Sequence, residues 1–285
     1  HPEMPIEKEL VLEAAKCCDT AIVVIGRAAG EDRENTLTQG SYYLTEQEMD
    51  MLDKVTTAFT HTVVLMNAGN IIDMSWVENY GDKISSLLYV WQGGMERGNA
   101  IADVLTGAVN PCGKLADTIA RNYEDYPSSS NFGGKEYNEY KEDIYVGYRH
   151  FETYAKEKIL YPFGYGLSYT SFALEQIKAW EEGECIKVSL KVTNTGKMAG
   201  AEVVQCYVSD TECSVERPVK ELKAFGKVFL EPGETKTVEM FVNNRGLAFY
   251  DVESKSFVIE AGEFGFHVGS GSDKIMESAK IFLTK

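Results

Sequence analysis

The chain has 285 residues and carries 28 basic against 44 acidic side chains, a net charge of -16 with no lysine or arginine stripe. That field repels polyanions, so nucleic acid is not an expected partner, while a neutral ligand such as a sugar is tolerated. No apolar run approaches the roughly 18 residues of a membrane helix, so no membrane association is expected, and the length predicts two domains, either of them large enough for a full core.

Ile6, Leu10, Ala14 and Cys18 recur four apart behind Pro5, which predicts an amphipathic helix over 5–18 with proline in its first turn. Ile22 to Ile25 then form a β-branched apolar run bounded by Gly26, the pattern of a strand buried on both faces. It empties into an acidic loop holding Glu31, Asp32 and Arg33. Thr45-Glu-Gln-Glu48 is a capping-box signal, and Met49, Leu52, Val55 and Phe59 continue at helical spacing toward a second apolar run, Thr62 to Asn67. Leu87 to Trp91 is a third strand candidate; Gly93-Gly94 opens a helix whose Ala100, Ile101, Val104 and Leu105 form its expected buried face. Strands alternating with helices predict a mostly parallel sheet. Its carboxyl edge gathers the loops 26–33, 67–70 and 91–94, where open α/β sheets place ligands.

Residues 121–170 are rich in tyrosine and glycine and are expected to form an ordered long connection. Beyond them the apolar period becomes two, at Ile186, Val188, Leu190 and Val192 and again at Val238, Met240 and Val242. Turn signals recur at Glu182-Gly183, Asn194-Thr-Gly196, Pro232-Gly233 and Ala261-Gly262, which predicts an antiparallel sandwich from about 171 to 285.

The six cysteines, at 17, 18, 112, 185, 206 and 213, lack CxxC spacing and are expected as reduced thiols. The histidines at 1, 61, 150 and 267 are scattered, so neither a metal site nor a cofactor is expected. His150 is expected to pack, and Ser41 and Ser168 lack a nucleophile elbow. The opening His1-Pro2-Glu3 is not a secretory signal and points to the cytoplasm. Gly93-Gly94 is neither a dinucleotide nor a Walker loop, so a flavodoxin-like nucleotide binder is disfavoured. On residue chemistry alone, the Glu31 loop is either a salt-bridged surface or a working carboxylate. Trp91 and Gln92 can stack on and hydrogen-bond a sugar, or end a buried strand as core.

Six segments carry a family resemblance: residues 23–33, Tyr89-Val-Trp-Gln-Gly-Gly94, Ala102-Asp-Val-Leu-Thr-Gly107, Asn110-Pro-Cys-Gly-Lys-Leu115, Asp143-Ile-Tyr-Val-Gly-Tyr-Arg149 and Tyr161-Pro-Phe-Gly-Tyr-Gly-Leu-Ser-Tyr-Thr170. In these the chain resembles glycoside hydrolase family 3, the β-glucosidase type, over nearly all of its length. The resemblance implies an α/β sandwich domain with a mostly parallel sheet over 1–170, truncated at its start, followed by an all-β fibronectin type III-like sandwich over 171–285. It implies that Glu31 is the acid/base and that Asp32 and Arg33 support it; Trp91 and Gln92 remain substrate-binding candidates on their own chemistry. The family's TIM barrel and its nucleophile have no counterpart here, so a barrel in the same or another chain is an implied partner, before or after this segment, and the chain alone is expected to be inactive. The implied substrate is a terminal β-D-glucoside or short β-linked oligosaccharide, although the family also has members acting on xylose and N-acetylglucosamine. The alternative is a non-catalytic carbohydrate-binding or assembly module of the same fold.

Overall fold

The computed structural model describes residues 3–27, 35–134 and 136–284. They fall into two compact units, residues 1–102 with 121–123, and residues 103–120 with 124–285.

The first unit runs α1 (Lys8–Ala14), β1 (Thr20–Gly26), α2 (Glu46–Ala58), β2 (His61–Asn67), α3 (Val77–Tyr80) and β3 (Ser86–Tyr89), after which α4 (Arg97–Leu105) begins. Its sheet has the order β1-β2-β3 with both pairings parallel, as the strand-helix alternation predicts. Gly26 stands opposite Asn67, and Met66 opposite Tyr89, so the three carboxyl ends are level. Val23, Ile25, Val64 and Met66 are buried on one face together with Leu52 and Val55 of α2, the helix that packs on β1 and β2. Each such side chain stabilises the unit by roughly 1.5–3 kcal/mol.

Four local expectations need correction. The strand β1 is not buried on both faces: among the described residues α2 covers only the Val23 and Ile25 side, and Ile22 and Val24 are more than half exposed. In α1 the buried residue is Val11, not the expected stripe, and Leu10 is 59% exposed, because the helix is only seven residues long and meets α2 along a different line. No residue of α4 is fully buried, and β3 ends two residues before Trp91. By contrast, the Thr45 capping box forms as expected, with Thr45 Oγ1 accepting from the Glu48 N–H and the Glu48 carboxylate accepting from the Thr45 N–H.

The second unit contains β4 (Ile119–Ala120), α5 (Tyr148–Tyr154), β5 (Ile159–Tyr161), β6 (Phe172–Glu182), β7 (Cys185–Asn194), β8 (Gly200–Asp210), β9 (Glu221–Leu230), β10 (Thr235–Asn243), α6 (Asn244–Leu247), β11 (Phe249–Asp251), β12 (Ser256–Val258), β13 (Gly262–Gly269) and β14 (Ile275–Leu283). Two antiparallel sheets, β10-β7-β6 and β14-β13-β8-β9, close on one core. That core includes Ile186, Val188, Leu190, Val192, Val238, Met240 and Val242, the residues marked by the two-residue period, together with Phe264 and Phe266. At the Pro232 turn, Gly233 has φ +77°, which an L side chain resists, and the Glu234 N–H donates to the Glu231 carbonyl at 2.9 Å.

The tyrosine-rich connection is ordered, as expected, and contains regular elements of its own. β4 pairs antiparallel with β5, and fully buried Phe151 of α5 meets Tyr126 edge-on at 5.8 Å. His150 lies against Phe151 and Tyr154, and burial, assisted by Lys158, lowers its pKa. Polar contacts fasten this segment to the sandwich. Asn110 Oδ1 accepts from Ser168 Oγ and the Tyr169 N–H, its Nδ2 donates to the Ala199 carbonyl, and Lys114 pairs with Glu202 at 3.0 Å. Tyr148 OH accepts from the Leu222 N–H at 2.7 Å, and the buried Glu152 accepts from Lys220 at 2.8 Å.

Candidate functional site at the carboxyl edge of the parallel sheet

The level ends of β1, β2 and β3 bring Arg27, Asn67, Asn70, Tyr89 and Trp91 to one edge of the first unit. The Arg27 N–H continues the ladder by donating to the Asn67 carbonyl at 3.0 Å. Its guanidinium turns away from solvent and is fully partnered. Nε donates to the Ser41 carbonyl at 3.0 Å, Nη1 to the Gly26 carbonyl at 2.9 Å and Glu48 Oε1 at 2.5 Å, and Nη2 to Glu48 Oε2 at 2.9 Å and the Tyr43 carbonyl at 3.3 Å. The Arg27 and Glu48 side chains are only 9% and 5% exposed. Burying such a pair costs desolvation on both sides, and saturation of every guanidinium donor is what makes it tolerable. Glu48 thus does two jobs, capping α2 and holding the end of β1.

Glu31, Asp32 and Arg33 lie outside the described residues. The chain on either side of them is fixed. On one side stands Arg27; on the other, Asn35 Nδ2 donates to the Ile71 carbonyl at 2.7 Å, and the Thr36 N–H donates to Ser41 Oγ at 2.9 Å. The Asp73 N–H closes this frame by donating to the Tyr42 carbonyl at 3.0 Å.

At the β3 end, Trp91 has φ 52°, a left-handed backbone that is strained for a bulky side chain. Its ring packs against Tyr89, tilted by 44° with centroids 4.3 Å apart, and Tyr89 OH donates to the Asn70 carbonyl at 2.5 Å. Gln92 follows, exposed. Gly93 lies so close to Arg97 that a Cβ there would come within 2.5 Å of the arginine Cβ, and Arg97 Nη1 reaches Asn67 Oδ1 at 3.3 Å. Trp91 and Gln92 therefore sit on the same sheet edge as Arg27. The expected buried-core alternative for Trp91 does not hold, since its side chain is only partly covered.

Among the described residues no group of three His, Cys, Asp or Glu side chains could hold a metal, and no helix is long and apolar enough to cross a membrane. What the edge offers is hydrogen-bonding amides, an aromatic pair and anchored stems, the means to hold a neutral polar ligand and to carry a carboxylate. The sequence places Arg27 and Asn67 in the edge loops and Glu48 in a helix cap without joining them, and it gives no sign of the Asn35 anchor. The available signal was an arginine directly after a parallel strand, with a buried-pattern glutamate at the third position of a helix.

This architecture, a parallel α/β unit leading into a β-sandwich, defines a two-part class of domain. The model of the glycosyl hydrolase family 3 C-terminal domain matches residues 6–169, and that of the fibronectin type III-like domain matches residues 202–272. The chain belongs to glycosyl hydrolase family 3. It is 44% identical over 274 residues to a β-glucosidase of Ruminococcus albus, covering 94% of this chain and 29% of that protein. A solved β-glucosidase of Paenibacillus barengoltzii superposes with a TM-score of 0.92 at 46% identity, over 99% of this chain and 32% of that one. β-Glucosidase 3B of Thermotoga neapolitana, solved in complex with α-D-glucose, gives 0.91 at 35% identity, over 100% of this chain and 41% of that one. The chain thus spans between about a quarter and a half of the length of these relatives.

Proposed function

We propose that this chain is the acid/base-bearing portion of a retaining β-glucosidase, with Glu31 as the proton donor. The observation that carries the reading is the match to β-glucosidases along 94% of the chain, at a sheet edge whose two anchored stems flank Glu31. In the reaction, Glu31 protonates the glycosidic oxygen as the leaving group departs, then deprotonates the water that releases the sugar. A retaining mechanism needs a second carboxyl group about 5–5.5 Å away to attack the anomeric carbon. A TIM-barrel domain in the same or another chain supplies that nucleophile. Asp32 and Arg33 support Glu31; Trp91 and Gln92 contact the sugar. The substrate is a terminal β-D-glucoside or a short β-linked oligosaccharide.

The chain alone should not turn over an aryl β-glucoside, and joining it to a family 3 barrel should restore turnover. If the joined protein is active and Glu31→Gln leaves hydrolysis of an unactivated glucoside unchanged, the assignment of Glu31 is wrong. A second reading, a non-catalytic carbohydrate-binding or assembly module of the same fold, draws on the Tyr89 and Trp91 ring pair beside the exposed Gln92 at that edge. Calorimetric titration of the isolated chain with glucose and cellobiose separates the two, because strong binding without any barrel favours the module.

A further inference from the structure

The capping box of α2 and the end of β1 are joined through one buried pair, and that junction stands four residues before Glu31. All five N–H donors of the Arg27 guanidinium are spent on Gly26, Ser41, Tyr43 and the two oxygens of Glu48. None is left for a ligand, so Arg27 does not bind substrate. Its partners belong to three separate pieces of chain: the strand that leads to Glu31, the 36–43 turn that follows it, and the first turn of α2. Glu48 is in turn held by the Thr45 N–H at 2.8 Å, so the carboxylate cannot swing without uncapping its helix. On the far side of Glu31, Asn35 is fixed to the Ile71 carbonyl at 2.7 Å.

We infer that Arg27, locked by Glu48, is a positioning residue for the acid/base at Glu31: it fixes the exit of β1, the strand that leads to that residue. The inference rests on the Glu31 reading above. Small displacements of a proton donor are costly in rate while leaving the rest of the site intact.

The test uses the complete protein with its barrel and two substrates, 2,4-dinitrophenyl β-D-glucoside, whose leaving group departs without a proton, and methyl β-D-glucoside, whose leaving group needs one. Glu31→Gln should depress kcat/KM for the methyl glucoside far more than for the dinitrophenyl glucoside. Arg27→Met with Glu48→Met, which removes both charges together, should widen the same ratio by about tenfold, and should widen it no further in the Glu31→Gln background. Arg27→Lys, which keeps the charge but not the five bonds, should fall between. Circular dichroism checks that each variant folds; should the double variant unfold, Arg27→Lys and Glu48→Gln carry the test. Equal loss on both substrates, or the same widening with and without Glu31, makes the pair merely structural and overturns the inference. If Glu31→Gln itself leaves the ratio unchanged, the Glu31 reading falls and this inference with it.

Discussion

His267 shows how one side chain can set a pH response. It lies on β13 between two hydroxyls, with Ser209 Oγ 2.8 Å from Nε2 and Ser278 Oγ 2.8 Å from Nδ1. Burial lowers its pKa from 6.5, and Lys220 and Lys280 add to the effect. The folded state therefore takes up its proton later than the unfolded chain does as pH falls. Stability from His267 is fully present above pH 6.5 and is lost as pH drops toward the lowered value. Thermal melts across this range should show a slope that His267→Gln reduces, and an unchanged slope refutes the assignment. The thiols give a second residue-scale expectation. Burial pushes the Cys206 thiol up to about 12, whereas Cys17 and Cys18 are exposed. Iodoacetamide at pH 8 should modify the exposed pair in the native chain and reach Cys206 only on unfolding, as peptide mass spectrometry would read. Trp91 holds its left-handed backbone at a cost of about 1–3 kcal/mol. In the barrel-joined protein, Trp91→Gly relieves that strain but removes the Tyr89 contact and the proposed sugar contact, so KM should rise with little change in Tm; a falling Tm at constant KM would make Trp91 structural.

At the scale of elements, the parallel strands, the capping box and the sandwich core were all legible because each rests on a local period or a fixed offset. The Thr45-x-x-Glu48 spacing predicts a cap whose two bonds form at 3.1 and 2.8 Å. Thr45→Ala should cost about 1 kcal/mol, a fall in Tm of about 2–4 °C. No measurable shift would mean that the pull of Arg27 on Glu48 holds the helix start unaided. What periodicity did not show is which face of a short or exposed helix is buried. Val11 rather than Leu10 goes inward, and α4 buries no residue completely, because such choices depend on neighbours distant in sequence. The Arg27 to Glu48 pair was hidden for the same reason: its partners are 21 residues apart, and Glu48 already had a sufficient local explanation as a cap.

For the whole molecule, the division at residue 170 proposed from the sequence is a statement about what folds alone. Residues 171–285 contain both sheets and their common core, so as a separate fragment they should melt cooperatively. They should melt below the full chain, since cutting there removes the Lys114 to Glu202 and Glu152 to Lys220 pairs and the Tyr148 hydrogen bond. A fragment without a cooperative transition would move the boundary earlier. The sandwich carries a further pH dependence at Glu221. Its burial raises the carboxyl pKa, but Lys223 and Arg217 outweigh that and hold it below its usual 4.5, so this contribution is present above that pH and fades as acid protonates the group.

The loop after β1 carries the whole functional reading, and although its two stems are visible in the fold, the glutamate between them was legible only through its place in the sequence. The most direct measurement is azide rescue of Glu31→Ala in the barrel-joined protein with 2,4-dinitrophenyl β-D-glucoside. Without an acid/base, the glycosyl-enzyme still forms on this activated substrate but waits for water; azide needs no base and should restore turnover, yielding β-D-glucosyl azide. Full activity of Glu31→Ala without azide, or no azide product at any concentration, would contradict Glu31 as the acid/base.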